Sequence, residues 1–505
     1  MTGDQIQILI AMCLYMAMMV IVGAIYSKRN NSSSNYLLGG RKLGPWVTAM
    51  SAEASDMSGW LLMGLPGLAY LTGIGEVFWT ALGLAVGTYL NWLFVAKRLR
   101  KYTKVAGNSI TLPDYFSNRF RDKKKILMSL AAVLILLFFV IYLGSGFAAM
   151  GKLFKSLFGL DYTLMMIISA IVIIVYSVVG GFLAVCTTDL IQGVLMFFAL
   201  LAIVFVGYTA VGGAENITAQ LSGINGYFSI WGVNNPADNS FTQYSALDII
   251  SILAWGLGYF GMPHVLLRFM AIRKTRQIRH SRRIATVWVV ISLGAAIMIG
   301  VIGRALLGDV LMDGTQETVF SALAGYLFPA LIGGIFISGI LASTMSTSDS
   351  QLLAAASVIS KNFFHGLIKK DATDKQILTV SKATVIGAAL IGILFALDEN
   401  STVFGIVSYA WAGFGATFGP LVILSLFWKR MNKWGALAGM IGGAATVIIW
   451  NELLNPLGGV FGIYELLPGF IVALVAIVTV SLLTKAPSQE IIDEFDSVKT
   501  AEADD

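Results

Sequence analysis

Thirteen apolar stretches run through the chain, at roughly 6–26, 45–72, 76–96, 126–150, 162–180, 186–210, 246–271, 284–307, 325–350, 379–397, 403–428, 434–453 and 464–484. Each is close to the ~20 residues a helix needs to cross a bilayer. They are continuous runs without the roughly ten-residue alternation of an outer-membrane barrel, so the expected fold class is an all-α membrane protein. Composition agrees. Of 505 residues, 57% are apolar and only 12% charged, about half the charge share with which soluble domains solvate a surface. The spans are numbered first to thirteenth below.

Lysine and arginine resist translocation, so basic loops mark the cytoplasmic side. With the N-terminus outside and the C-terminus cytoplasmic, every Lys and Arg except Lys152, Lys155 and Arg304 falls on that side. The basic run Arg273 to Arg283 is then a topology anchor, and no nucleic-acid partner is expected. No Lys or Arg precedes the first span and no small-residue cleavage site follows it, so it reads as a span and not a signal peptide. Cys13 and Cys186, the two cysteines, support neither a disulfide framework nor a metal cluster. The stretch 486–505 is acidic and reads as a disordered tail.

Ionisable groups at membrane depth cost about 2.5–3.5 kcal/mol each even on the lenient scale, which makes them default functional candidates. The second span carries Glu53 and Asp56 among Ser51, Ser55, Ser58 and Gly59. A break is expected at Asp56 and Ser58. A helix broken at mid-membrane exposes carbonyls to a cation and N–H groups to an anionic substrate group, whereas a kink made for packing alone needs no carboxylate. The seventh span holds a second interruption, Trp255-Gly256-Leu257-Gly258-Tyr259-Phe260-Gly261-Met262-Pro263, in which Pro263 lacks an N–H and frees a carbonyl one turn back. On an α-helix Trp255 and Tyr259 share a face, either as packing or as an aromatic wall.

Interruptions five spans apart and opposite in direction fit an inverted repeat. The domain reading is an extra helix and loop at 1–44, a five-helix repeat at 45–210, its inverted copy at 246–428, two added helices at 429–485, and the tail at 486–505. The ninth span is read as ending in a hydroxyl cluster, Ser343 to Gln351, near the cytoplasmic face. There Ser343, Ser346 and Thr347 share a helical face, as oxygen ligands for a small hard cation or as hydroxyls bonded to their own helix. The sixth span opens at Thr187-Thr188-Asp189, either an N-cap with an acid in the first turn or a relay for a departing cation. His264, His280 and His365 lack metal-ligand spacing and are placed at the inner side, solvated or capping.

Seven segments are specific enough to compare with known families: Tyr36 to Pro45, Ala54 to Gly67, Leu112 to Tyr115, Gly180 to Val185, Trp255 to Gly261, Met345 to Thr347 and Ser408 to Gly415. In order and over nearly the whole chain, they resemble the sodium:solute symporter family, most closely its proline-carrying members. The resemblance implies a LeuT-type five-plus-five inverted repeat with about 13 transmembrane helices, multi-pass in the cell membrane. It implies sodium as the transported coupling ion, L-proline as the small-molecule substrate, and no organic cofactor. A sodium site would use the carbonyls of Ala54, Met57 and Ser343 with the hydroxyls of Ser346 and Thr347, and Asp56 would take part. Arg41 would serve coupling and Asp189 cation passage to the cytoplasm. The solute pocket would fall on Ser58, Gly59, Tyr142, Trp255, Gly256, Tyr259 and Pro263.

Two positions depart from the family pattern: Glu53 stands where a small or neutral residue is usual, and Ser343 where Ala is usual. Glu53 adds an electrostatic or proton-linked term, or it is a structural group in a polar seam. Rival readings are a symporter for another solute such as pantothenate or a sugar, and a transporter-like receptor, which would need an output domain. A membrane enzyme is a third, which no nucleophile–base pair supports.

Overall fold

The expected spans form as helices wherever apolar runs are long, because a backbone in lipid must satisfy its own hydrogen bonds. The computed structural model describes residues 1–27, 33–312 and 314–500. Lys28 and Arg29, used in the orientation argument, and the last part of the tail, 501–505, lie outside the described residues. Ten helices among the described residues are long and apolar enough to cross a membrane, and the bent pair Ala246–Gly261 and Pro263–Ala271 makes an eleventh. Tyr162–Val178 is a shorter apolar helix, and the second span is itself divided.

That divided span runs through the centre. Its first half, Pro45–Gly59, packs against the sixth, eighth and ninth spans and against Pro263–Ala271. Its second half, Leu65–Thr72, packs on the eighth. The loosened stretch of the seventh span, Ala254–Gly261, is wedged between the third and eleventh. This wedge is tight enough to require glycine: a Cβ on Gly256 would stand 2.2 Å from Gly83 O, and one on Gly87 would stand 2.3 Å from Gly256 O. At the basic end, Leu43 pairs with Ile272 as a parallel bridge, with Leu43 N donating to Ala271 O at 3.2 Å and Arg273 N to Leu43 O at 2.9 Å. The entrance of the second span and the exit of the seventh are thereby tied together.

The all-α fold class holds, and three other expectations are corrected below; within that fold Gly232–Asn235 and Ser240–Gln243 form a short antiparallel hairpin in the loop at 211–245. Trp79 Nε1 donates to Ile230 O at 2.6 Å and Tyr227 Oη to Ala69 O at 2.8 Å, which seats that loop on the helix ends.

The ninth span starts at Ala330, after a separate helix Val319–Leu327, and continues to Ser357 and then through wide turns to Ile368. The Ser343–Gln351 cluster is therefore in mid-helix rather than at its cytoplasmic end. Its small-residue continuation, Ala354 to Ser357, is buried against protein and needs no lipid-facing side chains.

Asp189 is not in the first turn of its helix, because the sixth span begins at Phe182 with Gly181 as N-cap. The acidic tail is also ordered where described: Gln489–Thr500 is a helix. Ile491, Phe495 and Val498 recur at helical spacing and are buried. Arg98 and Arg119 lie 4.8 and 5.1 Å from the Phe495 ring, and Arg121 pairs with Glu490 and Glu494 at 3.1 and 2.6 Å. Acids that look like a solvated run are partners of the basic loop at 97–125. In that loop burial raises the Asp114 carboxyl above its ordinary value, and Asn362 Nδ2 donates to it at 2.8 Å.

Candidate functional site

Ser58 makes the break in the second span. Its φ of 49° and ψ of −167° lie far from helical values in a residue that carries a Cβ. Such backbone costs of order 1–3 kcal/mol and persists only where the surroundings fix it. Tyr142 of the fourth span does so: its Oη donates to Asp56 O at 3.0 Å and stands 3.5 Å from Ser58 Oγ. Ser58 Oγ in turn accepts the Trp60 N–H at 3.2 Å.

Beside the break, Ser346 Oγ donates to Ala54 O at 2.7 Å and stands 3.1 Å from Ser343 O. Thr347 Oγ1 is buried without a hydrogen-bond partner among the described residues. Second and ninth spans thus bring neutral oxygens together from both sides, a donor set suited to a hard cation. Ser343 enters through its carbonyl, since its own hydroxyl turns back to Ile340 O at 2.9 Å. The Met57 carbonyl accepts the Trp60 N–H.

Asp56 belongs to a different group. Its side chain faces a crevice of about 220 Å³ together with Met57, Trp60, Leu84, Tyr142, Trp255, Val407 and Trp411. Asp56 Oδ1 has no hydrogen-bond partner among the described residues and lies 3.9 Å from His264 Nε2. Rings close the crevice: Trp255 is 5.5 Å from Trp60, 6.3 Å from Trp411 and 5.1 Å from Tyr464 between centroids. Trp411 Nε1 donates to Trp255 O at 2.8 Å.

Among the residues expected to form the solute pocket, Tyr142 and Trp255 line this crevice and Ser58 touches it through Tyr142. Tyr259 stands behind, edge-on to Trp411 with centroids 5.0 Å apart. Trp255 and Tyr259 do not share a face, because Ala254–Gly261 is 3-10 helix, in which positions four apart diverge. Trp411 bridges them instead. Gly59 and Gly256 serve close approach: a Cβ on Gly59 would meet Ala149 Cβ at 3.2 Å. Pro263 begins the helix Pro263–Ala271, where its missing N–H is no loss, and the two halves bend by 46°.

Toward the basic end lies a buried charge network. Asp189 Oδ2 accepts from Ser51 Oγ at 2.6 Å and from Arg268 Nη2 at 3.2 Å. Arg268 also donates to Ser51 Oγ at 3.0 Å, to His264 O at 3.1 Å and to Ser350 Oγ. Ser350 neighbours Asp349, fully buried. Sequence reasoning misses this grouping: Arg268, assigned to the cytoplasmic side with the other basic residues, is 1% exposed, and His264, read as solvated or capping, is 0% exposed. The available signal was their position just after Pro263 on a span already read as broken. Arg41 bridges loops at the same end, donating to Met270 O at 2.7 Å and Ser109 O at 2.8 Å. Glu53 Oε1 accepts from Trp92 Nε1 at 3.1 Å, and its Oε2 has no partner among the described residues. At the opposite end Lys152 forms a buried pair with Glu317 at 2.9 Å, and Glu317 accepts the Val403 and Phe404 N–H groups at 3.0 Å each. That carboxylate caps the eleventh span.

The sequence model of the sodium:solute symporter family matches residues 36–443. The chain belongs to the sodium:solute symporter family. Among its relatives are the high-affinity proline transporter of Bacillus subtilis strain 168, 45% identical over 94% of this chain and 98% of that one. The sodium/proline symporter of Escherichia coli strain K12 is 44% identical, covering 98% of this chain and 96% of that protein. In fold this family member matches a sodium-coupled sialic acid symporter in a substrate-bound outward-open state, with a TM-score of 0.76 at 18% identity over 96% of this chain and 99% of that one. A nucleobase-cation-symport-1 transporter in a closed conformation matches at a TM-score of 0.53 and 15% identity, over 92% and 99%. The architecture is the LeuT-type fold.

Proposed function

We propose that the protein is a secondary active transporter that couples sodium entry to import of L-proline by alternating access. The single observation that carries this reading is the pair of sites joined at one break: neutral oxygens of Ala54, Ser343 and Ser346 on one side of Ser58, and an aromatic crevice on the other. Relatives named as proline transporters over nearly their full length support proline as the solute. The crevice suits it chemically. The pyrrolidine ring packs on Trp255, Trp60 and Trp411, the solute carboxylate meets the unwound backbone at Ser58 and Gly59, and the ammonium meets the unpaired Asp56 Oδ1.

Sodium binds first, to the carbonyls of Ala54, Met57 and Ser343 and the hydroxyls of Ser346 and Thr347, with the Asp56 charge adding attraction from the crevice side. This replaces the Ser346–Ala54 hydrogen bond and holds the second and ninth spans at a set distance. Tyr142 reads that geometry through Asp56 O, so sodium raises proline affinity and proline raises sodium affinity by the same factor. Rocking of the bundle then opens the basic end, where sodium leaves past Asp189 and Arg41 holds the loops that part. With the N-terminus outside and the C-terminus cytoplasmic, this direction is import. The driving force suffices: about 2.3 kcal/mol from 100 mV and about 1.4 from a tenfold sodium gradient sustain roughly 500-fold accumulation per sodium.

The test is uptake of labelled proline into proteoliposomes under an inward sodium gradient against equimolar potassium. Accumulation above equilibrium that needs sodium is the expected result. Uptake indifferent to sodium overturns the coupling and turns attention to Glu53 and protons. Uptake competed by pantothenate or a sugar better than by unlabelled proline overturns the solute.

A further inference from the structure

The basic run that leads into the eighth span has been explained by topology, yet topology needs only charge and this region has a shaped pocket. Arg276, Arg279 and Arg282 face Lys97 of the third span around a pocket of about 750 Å³ floored by Trp92 and Ile278. Among the described residues none of the four cations has a carboxylate partner. Arg282 rests on the Tyr89 ring, 5.2 Å from its centroid. From the pocket an apolar track runs toward mid-membrane along both helices. Val86, Tyr89 and Leu93 are 48%, 40% and 36% exposed on the third span, and Val287 and Val290 are 58% and 52% exposed on the eighth.

Unpaired cations at a helix end, above exposed apolar side chains on two packed spans, match a molecule with an anionic head and hydrocarbon chains. We propose that this pocket binds the headgroup of an anionic phospholipid, its phosphodiester held by Arg276, Arg279 and Arg282 and its chains lying along the track. Arginine suits the task because its planar fork binds phosphate oxygens in pairs. A nucleic acid would need contacts beyond the membrane surface, and the track would remain uncovered.

The floor gives the site a route to the transport machinery. A wide turn at Asn91–Val95 aims Trp92 inward, where its ring lies 4.4 Å from Phe269 and its Nε1 donates to Glu53 on the second span. A headgroup seated here therefore presses on the residue that holds Glu53, one turn before Asp56. The site rests on the membrane reading alone, not on the identity of the solute or the coupling ion.

The experiment uses the full chain in phosphatidylcholine nanodiscs, following the thermal unfolding midpoint while phosphatidylglycerol, further phosphatidylcholine or inorganic phosphate is added. The variant Arg276→Gln/Arg279→Gln/Arg282→Gln removes three of the pocket's four cations and leaves Lys97. Arg283→Gln is the control, because Arg283 faces a separate apolar groove with Trp46 and Trp288. Phosphatidylglycerol is expected to raise the midpoint of wild type and Arg283→Gln at contents at least tenfold below those the triple variant needs, with no effect of phosphate or added phosphatidylcholine. Equal protection of wild type and triple variant overturns the site, and so does protection by phosphate or phosphatidylcholine that matches phosphatidylglycerol. Should the triple variant fail to fold, Arg279→Gln alone in native mass spectrometry decides. Loss of one retained phosphatidylglycerol supports the site, and unchanged retention refutes it.

Discussion

The second span leaves helical backbone at one residue, Ser58, held at positive φ by the hydroxyl of Tyr142 and followed by wide turns at Trp60–Gly64, whereas the seventh winds tighter over the eight residues of Ala254–Gly261 without a single non-glycine residue at positive φ. The surroundings differ in the same way. Around the first lie carbonyls and hydroxyls of Ala54, Ser343 and Ser346; around the second lie the rings of Trp255, Tyr259, Trp411 and Tyr464. A small cation needs point donors at fixed spacing, which a sharp local break supplies. A ring-shaped solute needs area, which a distributed one supplies. On the proposed reading the two breaks in one inverted-repeat fold are specialised by side chain, with Asp56 and Tyr142 where their territories meet.

The largest expected effect comes from the group that ties both breaks to one base. Arg268, on the exit half of the seventh span, donates to Ser51 on the entry half of the second and to Asp189. Arg268→Leu leaves Asp189 buried and uncompensated and is expected to lower stability by about 3–5 kcal/mol; Asp189→Leu added to it should restore most of the loss in thermal unfolding. If the double variant is as unstable as the single, the pair is not what holds this end.

Trp255→Ala sharpens the solute side. Truncating a buried aromatic anchor is expected to raise the proline KM by a factor on the order of 30 or more, about 2 kcal/mol, with sodium binding in the absence of proline little moved. Gly256→Ala sits one residue away and should behave differently. Its Cβ collides with the third-span backbone at Gly83, so overpacking of about 1–3 kcal/mol is expected in the unfolding midpoint, with a loss of functional protein rather than a change in KM. A large KM change there would move Gly256 back among the solute contacts.

The smallest effect tests the strained break itself. Ser58→Gly accepts the same backbone more readily and is expected to leave stability within about 1 kcal/mol of wild type or raise it. Ser58→Val should lower it, because a β-branched residue resists positive φ. Equal behaviour of both variants would show that the backbone at 58 relaxes.

The spans and the break at Asp56 and Ser58 were legible in the sequence, because carboxylates and hydroxyls in a long apolar run have no other easy explanation. Helical spacing pointed to the hydroxyls at 343–347, of which Ser346 reaches Ala54 O on the second span while that of Ser343 bonds its own helix at Ile340 O. What stayed hidden depended on partners distant in the chain. Arg268 and Asp189 are 79 residues apart, so the local pattern reads Arg268 as one more cytoplasmic cation and Asp189 as a helix-start acid or a cation relay, and neither reading contains the pair. Thr187-Thr188-Asp189 imitates a helix start although the helix has already begun at Phe182. The tail helix was hidden for the same reason, since its acids pair with Arg121 in a loop some 370 residues earlier. Trp411 lay within a recognised motif, and nothing in its local pattern showed that it would join Trp255 to Tyr259.

The most direct test of this division is binding of labelled sodium to the purified protein without proline, for wild type, Ser346→Ala and Trp255→Ala. The account predicts at least tenfold weaker sodium binding, about 1.4 kcal/mol, in Ser346→Ala and binding within about twofold of wild type in Trp255→Ala. Wild-type binding in Ser346→Ala, or equal losses in both variants, would contradict it.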